Sequence, residues 1–141
     1  MALRVKSGDA MPKEPCNGPP FTAIDHVGLA MPRGQEDAAR QFYAGILGFE
    51  ELPKPPELRS RGGVWFGSGN VQLHLGVDND FKPARKAHPA LRCSDYRGVI
   101  ERLKAHGVDT IADDSAIDGS AHCYVHDPFG NRIELIDRSR R

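Results

Sequence analysis

VQLHLGV, residues 71–77, and RIELIDR, residues 132–138, decide how this chain is read. Both alternate in the manner of a β-strand, where successive side chains point to opposite faces. In the first, Val71, Leu73 and Leu75 make an apolar face, and Gln72 and His74 stand on the other. In the second, Ile133 and Leu135 oppose Glu134. Gln72 and Glu134 lie 62 positions apart, and so do His26 and His88. A polar pair recurring at one offset is the mark of an internal repeat.

The flanking segments fill in that repeat. FTAIDHVGLAM reads as a strand with Ile24, His26, Gly28 and Ala30 on one face. GQEDAARQFYAGILG carries Ala38, Ala39, Phe42, Tyr43, Ile46 and Leu47 at helical spacing, with Gly48 as its stop. FEEL is a short strand. PKPPELRSRGG, rich in proline and glycine, reads as a loop placed to act as a lid. VWFGSG and NVQLHLGV make a hairpin. The second round begins with the strand AHPALRCS. A helix follows in DYRGVIERLKAHG, capped by Ser94 or Asp95 and ended by Gly107. VDTIAD is a strand, SAIDGS a turn, AHCYVHD a strand, PFGN a tight turn and RIELIDR the last strand. The expected architecture is α+β: two tandem βαβββ modules, residues 21–80 and 84–138, forming a sheet curled around a groove. They constitute a single domain over residues 21–141. Residues 1–20, which include MPKEPCNGPP, read as a disordered tail.

Composition narrows the function classes. The chain has 141 residues, with 19 basic side chains balancing 19 acidic ones. That balance lacks the basic footprint of a nucleic-acid binder. No apolar run reaches the length of a membrane span, and the first residues do not read as a secretion signal. Cys16, Cys93 and Cys123 are too sparse for a disulfide framework and too scattered for a zinc knuckle. The expected setting is the reducing cytoplasm, and the expected partner is a small molecule.

A sheet covered on one face by helices leaves its other face to be used. If the two modules curl around one groove, His26, Gln72 or His74, His88 and Glu134 converge there from four strands. Two imidazoles and a carboxylate suit Zn, Ni, Fe, Mn or Co as divalent ions. Three protein ligands leave positions open for water or substrate. Trp65 is placed to stack on an aromatic substrate, and Tyr124 and Phe129 are similar. Arg92 shares the strand parity of His88 and is placed to meet an anion. Lys82, Arg85 and Lys86 form a solvated loop or a positive rim. His122 and His126 read as exposed strand and turn residues, and His106 as an exposed helix end.

IDHVGLAM…FYAGILGFEE, AHPALRCSD, ERLKAHGV and YVHDPFGNRIELID together resemble the vicinal oxygen chelate superfamily. This group includes glyoxalase I, bleomycin-resistance proteins, fosfomycin-modifying enzymes and extradiol dioxygenases. The resemblance spans residues 22–137. It implies metal ligands at His26, His88 and Glu134, with Glu134 also catalytic, and a fourth-strand position filled by Gln72 or His74. The repeat offset points to Gln72, and ligand chemistry points to His74. Neither can serve as the fourth-strand carboxylate base of glyoxalase I, so that activity does not follow. The resemblance implies a homodimer and a metal-dependent lyase, isomerase or dioxygenase. The alternatives are a drug-binding protein without chemistry and a fosfomycin-type thiol transferase. Fold does not choose among them, because one scaffold hosts many reactions.

Overall fold

In a computed structural model, residues 17–113 and 120–138 are described. Most of the expected N-terminal tail and nearly all of the SAIDGS turn lie outside those residues. The described elements repeat once. β1 (Val27–Met31) leads into α1 (Glu36–Ala39), then β2 (Glu50–Leu52), β3 (Val64–Ser68) and β4 (Val71–Val77). β5 (Ala90–Cys93) leads into α2 (Tyr96–Ala105), then β6 (Ile111–Ala112), β7 (His122–His126) and β8 (Arg132–Asp137). Each round builds a four-stranded mixed sheet, ordered β1-β4-β3-β2 and β5-β8-β7-β6. In both, the first strand runs parallel to the last and the hairpins are antiparallel. The result is α+β, two sheets that curl without closing into a barrel.

The expected first helix is only partly α-helical. After Ala39 it widens into a π-helix over Arg40–Ile46, where the Leu47 amide donates to the Phe42 carbonyl at 2.9 Å. A wider turn subtends a smaller angle per residue, which brings the neighbours Phe42 and Tyr43 toward one face. Both are buried. PKPPELRSRGG also holds more structure than a loop, because Pro56–Arg61 forms a 3₁₀ helix with proline at its start. It is fastened at Gly63, whose amide donates to the Glu36 carboxylate at 3.1 Å. Gly63 has φ +86°, and a Cβ there would sit 2.2 Å from the Leu75 carbonyl oxygen. Only glycine fits. α2 follows expectation: the Asp95 side chain accepts from the Gly98 amide as its cap.

One apolar cluster draws on both modules. Tyr43, Phe66, Leu73 and Leu75 meet Leu103, Val125, Ile133 and Leu135 in it. Strand alternation supplies the inward set on each sheet. The modules are also joined by polar bonds. The Tyr43 hydroxyl donates to the buried Asp127 carboxylate at 2.7 Å. Asp127 also accepts from the Phe129 and Asn131 amides, each at 2.9 Å, and so holds the PFGN turn. The Asn131 side chain donates to Asp127 and to the Ala30 carbonyl at the end of β1.

Burial and the Asp127 carboxylate together push the Tyr43 phenol well above its ordinary value of 10.0. The fold therefore favours the protonated phenol. Its contribution is complete below pH 10 and is lost as pH rises through the folded-state value. Asp127→Ala should lower unfolding free energy in urea by about 3 kcal/mol, and Tyr43→Phe by about 1–2 kcal/mol. Above pH 10.0 the wild type should lose stability more steeply than Tyr43→Phe. Parallel curves would refute the assignment.

Candidate functional site

The uncovered face of the first sheet carries a row of three rings. Cross-strand pairing sets Trp65 directly opposite His74, and the rings stack at 3.9 Å with planes 4° apart. On the other side His26 stacks on His74 at 4.0 Å and 13°. His74 is thus held between two aromatic faces. Desolvation, then the neighbouring His26, lowers its pKa from the ordinary 6.5, which favours the neutral ring. Its Nε2 lies 3.0 Å from the Gln72 carboxamide oxygen. His26 precedes β1 and its side chain is 44% exposed, with Nδ1 at 2.8 Å from the Asp25 carboxylate.

The second sheet carries an equivalent row with different chemistry. Glu134 is buried, and its carboxylate lies 3.4 Å from His88 Nε2. His88 Nδ1 sits 2.6 Å from the Lys86 carbonyl. Tyr124 pairs across the ladder with Glu134 and meets His88 edge-on at 5.4 Å. A hydrogen bond to Glu134 raises the Tyr124 pKa first, with burial second. The Arg132 guanidinium lies 5.1 Å above the Tyr124 ring. Arg92 stands opposite Ile136, on the Glu134 face, and borders a crevice of about 250 Å³ between the modules.

Register shows which fourth-strand residue corresponds to Glu134. β1 sets Gly28 opposite His74, and β5 sets Ala90 opposite Glu134. Gly28 follows His26 by two residues, as Ala90 follows His88. His74 therefore occupies on one sheet the place of Glu134 on the other, and Trp65 that of Tyr124. The offset of 62, which links Gln72 to Glu134, differs from the register because the link from β5 to β8 is shorter. Paired residues stand 46 apart in the first module (28 to 74) and 44 in the second (90 to 134).

The expected ligands are thus gathered as two pairs, His26 with His74 and His88 with Glu134. Among the described residues, no group of three or more His, Cys, Asp or Glu is close enough to hold a metal ion. His122 corrects the sequence reading. It is buried, not exposed, with a side chain 1% accessible and Nε2 3.4 Å from Asp113 without a hydrogen-bond alignment. Its parity with Tyr124 was the available signal. His106 and His126 are exposed as expected.

The profile of the Glyoxalase/Bleomycin resistance protein/Dioxygenase superfamily matches residues 23–135. A solved glyoxalase family protein from Bacillus anthracis is 44% identical, with 83% of this chain and 95% of that one covered and a TM-score of 0.79. Lactoylglutathione lyase from Agrobacterium tumefaciens is 23% identical over 85% of this chain and 96% of that one, TM-score 0.63. The fosfomycin resistance protein FosX from Listeria monocytogenes is 16% identical over 84% and 95%, TM-score 0.66. These last two show the fold alone. No curated protein matches. Two four-stranded sheets with duplicated topology define a glyoxalase-type fold. The chain belongs to the Glyoxalase/Bleomycin resistance protein/Dioxygenase superfamily.

Trp65 is the protein's single tryptophan, so its fluorescence reports the ring stack. His74→Ala should uncover one face of the indole and shift its emission to longer wavelength. An unchanged spectrum would show that the stack does not persist in solution.

Proposed function

We propose that this protein is a metal-dependent enzyme of the lyase, isomerase or dioxygenase type, chelating neighbouring oxygens of a small substrate. One observation carries the reading. A carbonyl oxygen can only accept, so the Lys86 carbonyl fixes the His88 proton on Nδ1. Nε2 is left facing the Glu134 carboxylate at 3.4 Å. A ring nitrogen and a carboxylate oxygen thus face each other across a half-buried gap that a single cation can bridge. A proton on Nε2 can do this, and so can a metal ion. A second-sphere oxygen on one ring nitrogen, with the other nitrogen free, is the usual setting of a metal-ligating histidine. His26 repeats it, with Asp25 in place of the carbonyl.

His88, Glu134 and His26 are the residues that would hold the ion, with His74 or Gln72 adjoining. When bound, a divalent ion supplies Lewis acidity toward the substrate oxygens. The chain's own residues do the rest. Glu134 holds or accepts a proton, and the Tyr124 hydrogen bond orients it. Trp65 offers a flat face, and Arg92 a charge for an anionic group.

The pairs His88–Glu134 and His26–His74 are two half-sites. Our reading joins them between two copies of the chain, His26 of one meeting His88 and Glu134 of the other. Phe21 and Ile24, beside His26, are 88% and 79% exposed, an apolar arm that suits cover by a partner. The free thiols of Cys93 and Cys123 agree with a reducing, cytoplasmic setting. The ring row on the first sheet favours one rival, a protein that sequesters flat aromatic molecules without metal.

Metal analysis of untagged protein tests the reading. Stoichiometric divalent metal should be retained by the wild type and lost in His88→Ala, Glu134→Ala and His26→Ala alike. Sedimentation should show a dimer. Retention of metal in His26→Ala alone would remove His26 from the ligand set. No uptake by the reconstituted wild type would favour the sequestering protein.

A further inference from the structure

We infer that the cavity between the Pro56–Arg61 helix and Trp65 binds the anionic group of an aromatic substrate. This deepens the proposed function and rests on it, since Trp65 connects the cavity to the His74–His26 ring row. The cavity holds about 540 Å³, and Arg40, Glu51, Lys54, Arg59, Gly63 and Trp65 form its working walls. That space exceeds what a benzene ring with one charged substituent needs.

The charges on those walls do not cancel. Arg40 donates to Asp37 at 2.8 Å and to Glu51 at 3.0 Å, so it and Glu51 satisfy each other. Lys54 and Arg59 have no such partner. Lys54 donates to the Gly62 carbonyl, and Arg59 Nε reaches the Lys54 carbonyl at 3.4 Å. Neither makes an ion pair among the described residues. Glu36 feels the charge of Lys54, but its carboxylate is taken by the Gly63 amide, which lowers its pKa first, ahead of the charges of Arg40 and Lys54. Two cations therefore border the cavity while bonded only to neutral carbonyls. A carboxylate or phosphate would give them charge-assisted bonds.

Geometry adds the second element. The segment bearing Lys54 and Arg59 is not free to drift. The Glu36–Gly63 bond fixes its end, and the bare Cα of Gly63 lies against the Leu75 carbonyl. The segment is thus held beside Trp65, which lines the same cavity and pairs with Leu52 of β2 on one side and His74 on the other. An anion between Lys54 and Arg59 leaves an attached ring to lie along Trp65, directed toward His74 and His26. Because the cations are partly exposed, salt should weaken the binding.

The single tryptophan makes the test specific. In a ¹⁵N-labelled sample the Trp65 indole N–H gives one cross-peak. Phenyl phosphate and benzoate are the probes, and benzyl alcohol is the neutral control. Saturable movement of the peak with either anion, about tenfold weaker for benzyl alcohol, is expected. In Lys54→Gln/Arg59→Gln the anion's Kd should rise about tenfold and meet that of the alcohol, while the rest of the spectrum confirms the fold. Equal affinity for anion and alcohol, or an unchanged Kd in the double variant, would overturn the inference. Glu134→Ala separates this outcome from failure of the metal reading. It should lose metal yet keep anion binding at the Trp65 peak.

Discussion

The carboxylate of Asp127 is the constraint on which the rest of the molecule depends. It is buried, and a buried charge persists only when hydrogen bonds surround it. Two backbone amides, the Asn131 side chain and the Tyr43 hydroxyl do so. The amides shape the turn that sets β8 against β7. The hydroxyl comes from the other module, and Asn131 carries the tie onward to β1. One charged group thus fixes a hairpin and holds that hairpin against the first module. The apolar cluster alone gives the modules affinity without register, because hydrophobic contact has no direction. The Asp127 network supplies the direction.

Strand parity made much of this legible. Leu73, Leu75, Ile133 and Leu135 read inward from alternation, and they are inward. Trp65, His74, Tyr124 and Glu134 read outward from the core, and cross-strand pairing sets them side by side. The duplicated element order followed from the same alternation plus helical spacing. Register did not follow. It depends on how many residues each link consumes, and the links of 46 and 44 differ by one strand period. A shift of two preserves every face, so the pattern of polar and apolar residues cannot reveal it. Burial of His122 was missed for a related reason. Alternation gives the face of a residue, but not how deeply a concave face is covered. The widened helix at Arg40–Ile46 has no simple signature either, since its apolar residues satisfy the α-helical spacing equally well.

The candidate site was legible as a set of residue types and not as an assembly. His26, His88 and Glu134 stand on the uncovered faces, as their parity requires. Sequence alone brought them to one groove within one chain. The structure divides them between two sheets, each with its own pair. Lys54 and Arg59 lie in the stretch read as a lid loop, and the sequence assigned neither a role. Their lack of carboxylate partners becomes visible only once Arg40 is seen to occupy Glu51 and Gly63 to occupy Glu36.

The two sheets carry one geometry and two chemistries. His74 and Trp65 stand where Glu134 and Tyr124 stand in the other half. Had the repeat kept a carboxylate at both places, joining the half-sites would set like charges together. Each would raise the pKa of the other and weaken its hold on a cation. An imidazole kept neutral by desolvation between two rings avoids that repulsion. It also gives up the second proton acceptor that a paired-carboxylate mechanism uses. The divergence of the repeat therefore separates the duties of the two faces. The second sheet concentrates negative charge at Glu134. The first presents flat ring faces, with positive charge set apart on the cavity beside Trp65 by Lys54 and Arg59. If two copies join these faces as proposed, a molecule rich in oxygen at one end, flat in the middle and anionic at the other matches their order.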